Sequence, residues 1–301
     1  MPSNNYKVYN QDCIIGMQQY VADNSIDLIF TDPPYGIDGA NLDATYHRDE
    51  SFVVPGYIDV DNSQYADFSK KWVTECARVL RPGGSIYIVS GYTNLHHILN
   101  ALHGSGLKEI NHIIAKYPFG VNATKKFISS HYHILFWTKP ENSKQKRTFN
   151  TFWKYSEIKD SYNDRLSVQD MPRNYLPQQK KNKNQLNENF ILKFIMYSSN
   201  RGDTVLDCFG GGLTTGRVAL QYGRNFIGFE LNKNAYDAFV PTLDTLEQLP
   251  DPTPIDATNE QLTERQKKRD GWRKKRQERK AGIFRKKDLK SPLPPELFEE
   301  K

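Results

Sequence analysis

Gly202-Asp203-Thr204-Val205-Leu206-Asp207-Cys208-Phe209-Gly210-Gly211-Gly212-Leu213-Thr214-Thr215-Gly216 is an apolar run that ends in a carboxylate, passes through three glycines and continues into a helix-forming stretch over 214–222. Glycines at such a turn let the backbone come close to a ligand and expose N–H groups at the helix start. A second apolar run, Asn225–Phe229, ends in Glu230, 23 residues after Asp207. In open α/β sheets an acidic residue at the second strand's end meets ribose hydroxyls. The turn lacks the Lys-Ser/Thr ending of a P-loop, which favours a nucleoside ligand without a polyphosphate.

A second strand end stands far upstream. Ser25-Ile26-Asp27-Leu28-Ile29-Phe30 reads as a buried parallel strand and runs into Thr31-Asp32-Pro33-Pro34-Tyr35-Gly36. The two prolines lack N–H groups and fix their own φ, so the chain leaves the sheet on a stiff path. The carbonyls of Asp32 and Pro33 are left to point outward beside the Tyr35 ring. Rigid acceptors next to a flat ring suit a planar group bearing an exocyclic amine.

The rest of the chain reads as an α/β unit with a polar interruption. Tyr6–Tyr9 is a strand, and Asp12 precedes an apolar helical start, Ile14–Met17, as an N-cap, a ligand-facing carboxylate, or both. Residues 37–67 form an irregular stretch of roughly 30 residues, a lid or DNA-contacting loop by one reading and an insertion by the other. A helix over 68–80 places Phe68, Trp72, Cys76, Val79 and Leu80 on one face and stops at Arg81-Pro82-Gly83-Gly84. Strands follow over 85–89, 109–116 and 131–138, with a helix over 94–102. His131 and His133 share one strand face, a polar face rather than a metal site without further ligands. Residues 139–185 are polar, with Phe149, Phe152, Trp153, Tyr155, Tyr162 and Tyr175 scattered among basic residues. That mixture suits nucleic-acid contact or an ordinary surface subdomain. An amphipathic helix over 187–199 turns Phe190, Ile191, Phe194, Ile195 and Tyr197 inward.

Charge is unevenly placed. The 301-residue chain carries a formal +6, but residues 265–290 hold 14 Lys/Arg against 3 Asp/Glu, leaving 27 against 32 elsewhere. The body is mildly acidic and the basicity sits near the C-terminus, which fits a polyanionic partner or a solvated tail. Residues 241–260 read as a linker. Cys13, Cys76 and Cys208 are odd in number and widely spaced, which excludes a disulfide framework and fits a reducing cytoplasm. No apolar run approaches the length of a membrane span.

Asp32-Pro33-Pro34-Tyr35 resembles the D-P-P-Y motif of the amino-methyltransferases, which methylate adenine N6 or cytosine N4 in DNA. Asp207-Cys208-Phe209-Gly210 resembles their AdoMet motif, commonly D-P-F-x-G-x-G-T-T. The catalytic motif comes first, with a variable region between, an order similar to that of the β group. The resemblance covers roughly residues 5–240, without the variable segment. It implies a Rossmann-like, AdoMet-dependent methyltransferase sheet with circularly permuted motif order. The implied organisation is a catalytic half over 1–138, a target-recognition region over 139–186, an AdoMet-binding half over 187–240, and a linker and basic tail over 241–301. S-adenosyl-L-methionine would be held by Asp12, Cys13, Asp207, Phe209, Gly210, Gly211, Gly212, Thr214, Thr215, Glu230 and Asn232, and catalysis would fall to Asp32, Pro33, Pro34 and Tyr35. The sheet would set the two motif strands side by side, with their carboxyl ends at the switch point.

The implied substrate is double-stranded DNA with its target base flipped and stacked on Tyr35. A homodimer and a cognate restriction endonuclease are further partners the resemblance allows; no metal is implied. D-P-P-Y leans to adenine N6, whereas S-P-P-Y is commoner for cytosine N4. The departures are Cys208 for Pro, Leu213 for the last Gly, Leu186-Asn187 where the family often has Lys-Pro, and a His where a Glu is expected near 131–133. They motivate one reading of a different class, a nucleic-acid-binding protein that kept the fold without turnover.

Overall fold

In chain order the strands are β1 (Tyr6–Tyr9), β2 (Ile26–Thr31), β3 (Leu80–Ser90), β4 (Lys108–Lys116), β5 (His131–Thr138), β6 (Val168–Asp170), β7 (Thr204–Asp207) and β8 (Asn225–Phe229). The helices are α1 (Cys13–Tyr20), α2 (Tyr65–Val79), α3 (Leu95–His103), α4 (Glu188–Ser198), α5 (Thr214–Gln221) and α6 (Lys233–Phe239). This computed structural model describes residues 5–36, 55, 59–117, 124–151, 162–171 and 185–250. The loop over 37–58, except residue 55, lies outside the described residues, as do Phe152, Trp153, Tyr155, Tyr175 and the basic segment 265–290.

The strands form one sheet in the order β1-β8-β7-β2-β3-β5-β4-β6. Pairing is parallel from β1 across to β3, antiparallel where β5 meets β3 and β4, and parallel again where β6 joins β4. The two motif strands are direct neighbours: Leu28 lies opposite Val205 and Ile29 opposite Leu206. They are adjacent in space although far apart in sequence, as a permuted chain requires. At one edge of the sheet β1 pairs with β8, so the first and last strands among the described residues lie side by side.

Helices cover both faces, which explains why the central strands are apolar runs rather than alternating ones. One face packs Leu28, Phe30, Tyr87 and Val205 against Phe190, Ile191, Phe194 and Ile195 of α4 and Val218 of α5. The other packs Ile29, Ile86, Ile88 and Leu206 against Met17 of α1, Trp72 and Cys76 of α2, and Ile98 of α3. Neighbours along β2 point to opposite faces, as the period of two demands.

Several boundaries differ from the sequence reading. Helix α2 begins at Tyr65, preceded by a 3-10 turn over Asn62–Gln64 that Asp61 caps, so residues 62–67 are not irregular. The Arg81–Gly84 stop lies inside β3: pairing slips between Ile26↔Leu80 and Leu28↔Ser85, and the extra residues bulge out with Gly83 at φ +73°. A Cβ on Gly83 would fall 2.6 Å from the Lys146 carbonyl carbon. Residues 168–170, in the polar segment where the sequence reads as no strand, add the edge strand β6. Past Phe239 the chain continues as a 3-10 turn, Val240–Leu243, with Leu243 buried, so the 241–260 linker does not begin at residue 241. Phe149, one of the scattered aromatics, stacks on Tyr197 at 5.1 Å under the Arg147 guanidinium. Among the described residues no helix is long and apolar enough to cross a membrane.

Candidate active site

The carboxyl ends of β2, β7, β8 and β1 converge, and their following loops enclose a cavity of about 790 Å³. All fifteen residues expected to form the site line it: Asp12, Cys13, Asp32, Pro33, Pro34, Tyr35, Asp207, Phe209, Gly210, Gly211, Gly212, Thr214, Thr215, Glu230 and Asn232. Leu186, from the pair standing in place of Lys-Pro, lines it too, while Asn187 caps α4.

Thr31, unremarked in the sequence reading, joins the two motifs. Its hydroxyl donates to Asp207 Oδ1 at 2.9 Å and accepts from the Cys208 N–H at 3.2 Å. Asp207 also accepts from the Phe209 N–H at 3.1 Å. Burial pushes the Asp207 carboxyl up to about 6, against the pull of these hydrogen bonds. Glu230 binds the turn from the other side: one oxygen accepts from the Gly211 N–H and the other from the Asn232 N–H. Its carboxyl is likewise raised by desolvation. Asp12 spends Oδ1 on the N–H groups of Ile14 and Ile15, at 2.9 and 3.1 Å, while lining the cavity. The cap role is therefore real and leaves the second oxygen for a ligand. Phe209 is wedged by α2, with Trp72 edge-on at 5.4 Å and Phe68 at 5.8 Å. Beneath it the Cys208 and Cys76 sulfurs lie 3.4 Å apart as buried free thiols, and Cys13 is also a buried free thiol.

Leu213 shows why one departure is tolerated. It holds a left-handed backbone, φ +52°, at the N-cap of α5, where the resemblance expects glycine, and its side chain is fully buried.

Around Asp32 the backbone is held from three sides. The Tyr65 hydroxyl donates to the Pro34 carbonyl at 2.7 Å, Asn94 Nδ2 donates to the Tyr35 carbonyl at 2.8 Å, and Asp59 Oδ1 accepts from the Gly36 N–H at 2.8 Å. No hydrogen bond from a described residue reaches the Pro33 carbonyl. The Tyr35 hydroxyl donates to Asp32 Oδ1 at 2.7 Å, and its ring lies 6.0 Å from Tyr132. Burial raises the Asp32 carboxyl from 3.8 to about 7; the Tyr35 hydrogen bond opposes the rise and the Asp207 charge adds to it. Tyr65, Asn94 and Asp59 were not singled out from sequence. Two of them sit in the stretch read as a loop, and their partners lie 23 to 59 residues away.

The cavity's electrostatics are one-sided. Asp12, Asp32, Asp59, Asp61, Asp67, Asp207 and Glu230 line it, against one lysine among the described residues, Lys71, which is itself paired with Asp67 at 2.6 Å. Such a site favours a cation and repels phosphate. Among the described residues no cluster of His, Cys, Asp or Glu could hold a metal ion. His112 and His133 instead hydrogen-bond each other at 2.8 Å on β4 and β5, with His133 held down near 4 mainly by burial.

The sequence matches the model of a family described as DNA methylase over residues 26–241. It is 33% identical over 249 residues to the type II methyltransferase M.BamHI of Bacillus amyloliquefaciens, a match covering 75% of this chain and 54% of that one. The chain thus matches about half the length of that relative. Among solved structures, the M1.HpyAVI–SAM complex superposes with a TM-score of 0.56 at 21% identity, covering 80% of this chain and 100% of that one. The cytosine-N4-specific PvuII DNA methyltransferase superposes with a TM-score of 0.62 at 16% identity, covering 87% and 91%. At these identities the two structures show a shared fold.

Proposed function

The chain belongs to the DNA methylase family, and from that premise we propose that it transfers a methyl group from S-adenosyl-L-methionine to the N6 amine of an adenine flipped out of double-stranded DNA. The observation that carries the reading is the meeting of two motifs at one hydrogen-bonded strand junction, with Thr31 Oγ1 on Asp207 and Asp32 one residue further on.

The cavity fits the donor by its own chemistry. It is large enough for a nucleoside with an amino-acid tail, it is acidic where the donor is cationic, and its Gly210–Gly212 turn is held against the strand end by Glu230. Asp12 and Glu230 would hold the nucleoside, Phe209 would pack on it, and Asp207 with the glycine turn would hold the remainder. When bound, the donor supplies a methyl group on a positively charged sulfur.

The rest falls to this chain's residues. Asp32 and the Pro33 carbonyl accept the two N–H bonds of the target amine. That turns its lone pair, otherwise delocalised into the ring, toward the methyl. Positive charge develops on nitrogen as the N–C bond forms and the S–C bond breaks, and the fixed Asp32 carboxylate stabilises it. The surplus amine proton leaves through Asp32. Tyr35 surrenders its hydrogen bond to Asp32 as the base enters and stacks on it. Bonds to Pro34, Tyr35 and Gly36 keep the strip rigid, so positioning costs little at the moment of reaction. Residues 139–186 would read the DNA sequence, and a cognate endonuclease is the partner that the relative's type II name points to.

Cytosine N4 is the second reading: the same two acceptors serve either amine, and a solved neighbour is cytosine-N4-specific. Mass spectrometry of nucleosides from methylated DNA decides between them. N6-methyladenine is expected; N4-methylcytosine would replace the assignment. Asp32→Ala is expected to abolish transfer while calorimetry still shows donor binding. Wild-type protein that binds no donor at millimolar concentration would instead support a DNA-binding protein without turnover.

A further inference from the structure

Asp59 holds a buried polar atom that the mechanism leaves unused. Its Oδ1 accepts from the N–H groups of Gly36 and Val60, at 2.8 and 2.9 Å. Its Oδ2 is buried, has no hydrogen-bond partner among the described residues, and belongs to a side chain that lines the cavity. The other buried unpartnered side-chain atoms among the described residues are two serine hydroxyls and two tryptophan N–H groups, all neutral and none in the cavity wall. A carboxylate oxygen left so is costly unless something binds it. The one lysine in the cavity wall among the described residues, Lys71, is paired with Asp67 instead. Each of the other cavity carboxylates has a partner in the protein, as a cap, with Lys71, with Tyr35, or on the N–H groups of the glycine turn, and none has a buried oxygen without one among the described residues.

We propose that Asp59 Oδ2 binds the α-ammonium group at the amino-acid end of the methyl donor, so that one side chain grips both the donor and the backbone that follows Tyr35. The inference rests on the reading of the cavity as an S-adenosyl-L-methionine site. A full positive charge answers an anionic oxygen better than a neutral amine does, and the target amine already has its acceptors at Asp32 and Pro33. Because Oδ1 fixes Gly36, occupancy of Oδ2 would set the end of the Asp32–Gly36 strip, making Asp59 a positioning residue for the reaction as well as a donor ligand.

The test uses the full chain, the variant Asp59→Asn, and two probes read by calorimetry without turnover. S-adenosyl-L-homocysteine carries the ammonium group; 5′-methylthioadenosine carries the nucleoside and a thioether but no amino-acid end. Asparagine keeps an oxygen for the Gly36 and Val60 N–H groups and puts an NH₂ where Oδ2 stood. The variant is expected to bind S-adenosyl-L-homocysteine about tenfold or more weakly and 5′-methylthioadenosine within about twofold of wild type. An unchanged melting temperature would show the fold intact. Equal weakening of both probes would reduce Asp59 to a backbone latch and overturn the proposal. Unchanged affinity for both, with a raised KM for duplex DNA, would reassign Oδ2 to the target base. Failure of wild-type protein to bind either probe would overturn the donor-site reading, and this inference with it.

Discussion

At Asp32 the burial that would prepare the proposed chemistry also weakens the fold. Its carboxyl titrates near 7 when folded and near 3.8 when free. The folded state therefore holds a proton that the unfolded chain has already released, and stability falls as pH rises from about 4 to about 7. Asp32→Asn is expected to raise the melting temperature at pH 8 and to match wild type near pH 4, as differential scanning fluorimetry would show. Only the ionised form can take up the amine's surplus proton and offset the charge developing on nitrogen, so single-turnover methyl transfer is expected to rise through pH 7 and then level off. A rate flat between pH 6 and 8 would remove Asp32 from the proton's path. Leu213 poses the opposite trade. A non-glycine residue in the left-handed region costs about 1–2 kcal/mol, whereas deleting a fully buried leucine side chain costs about 2–5 kcal/mol. Burial wins, so Leu213→Gly is expected to destabilise the protein in chemical denaturation despite restoring the family's usual residue.

Among the elements, the β2–β7 junction is the one on which the site depends. Thr31→Val leaves the Asp207 carboxylate and the Cys208 N–H short of a partner in a buried place, a loss of about 1–3 kcal/mol. Donor affinity is expected to fall with it, since Cys208 and Phe209 begin the turn. Helix α2 supports that turn from outside: Trp72→Ala would open a cavity beneath Phe209, with an expected loss of about 3–5 kcal/mol in denaturant melts. The strands and acidic strand ends were legible because apolar runs bounded by Gly and Pro announce themselves in sequence, and because Asp32, Asp207 and Glu230 each close such a run. What stayed hidden has a common physical cause. Tyr65, Asn94 and Asp59 act through single hydrogen bonds to residues far along the chain, which leave no periodic trace. Strand β6 is three residues long, too short for alternation to register, and the Arg81–Gly84 bulge imitates a turn because the same Pro and Gly residues serve both.

Over the whole molecule, charge is unevenly placed. The 14 basic residues of 265–290 lie on a chain whose remainder is net acidic. Truncation after residue 253 is expected to weaken duplex binding and flatten its dependence on salt concentration, while leaving affinity for the donor unchanged. A truncated protein with an undiminished salt slope would place the phosphate contacts elsewhere. On the proposed function, the seven cavity carboxylates would also act on the catalytic cycle. In the proposed reaction the sulfur left behind is neutral once the methyl group has gone, so walls that favour the net-cationic donor would face a spent molecule that is net neutral. Discharge of the used donor would thus be favoured by the same electrostatics that load the fresh one.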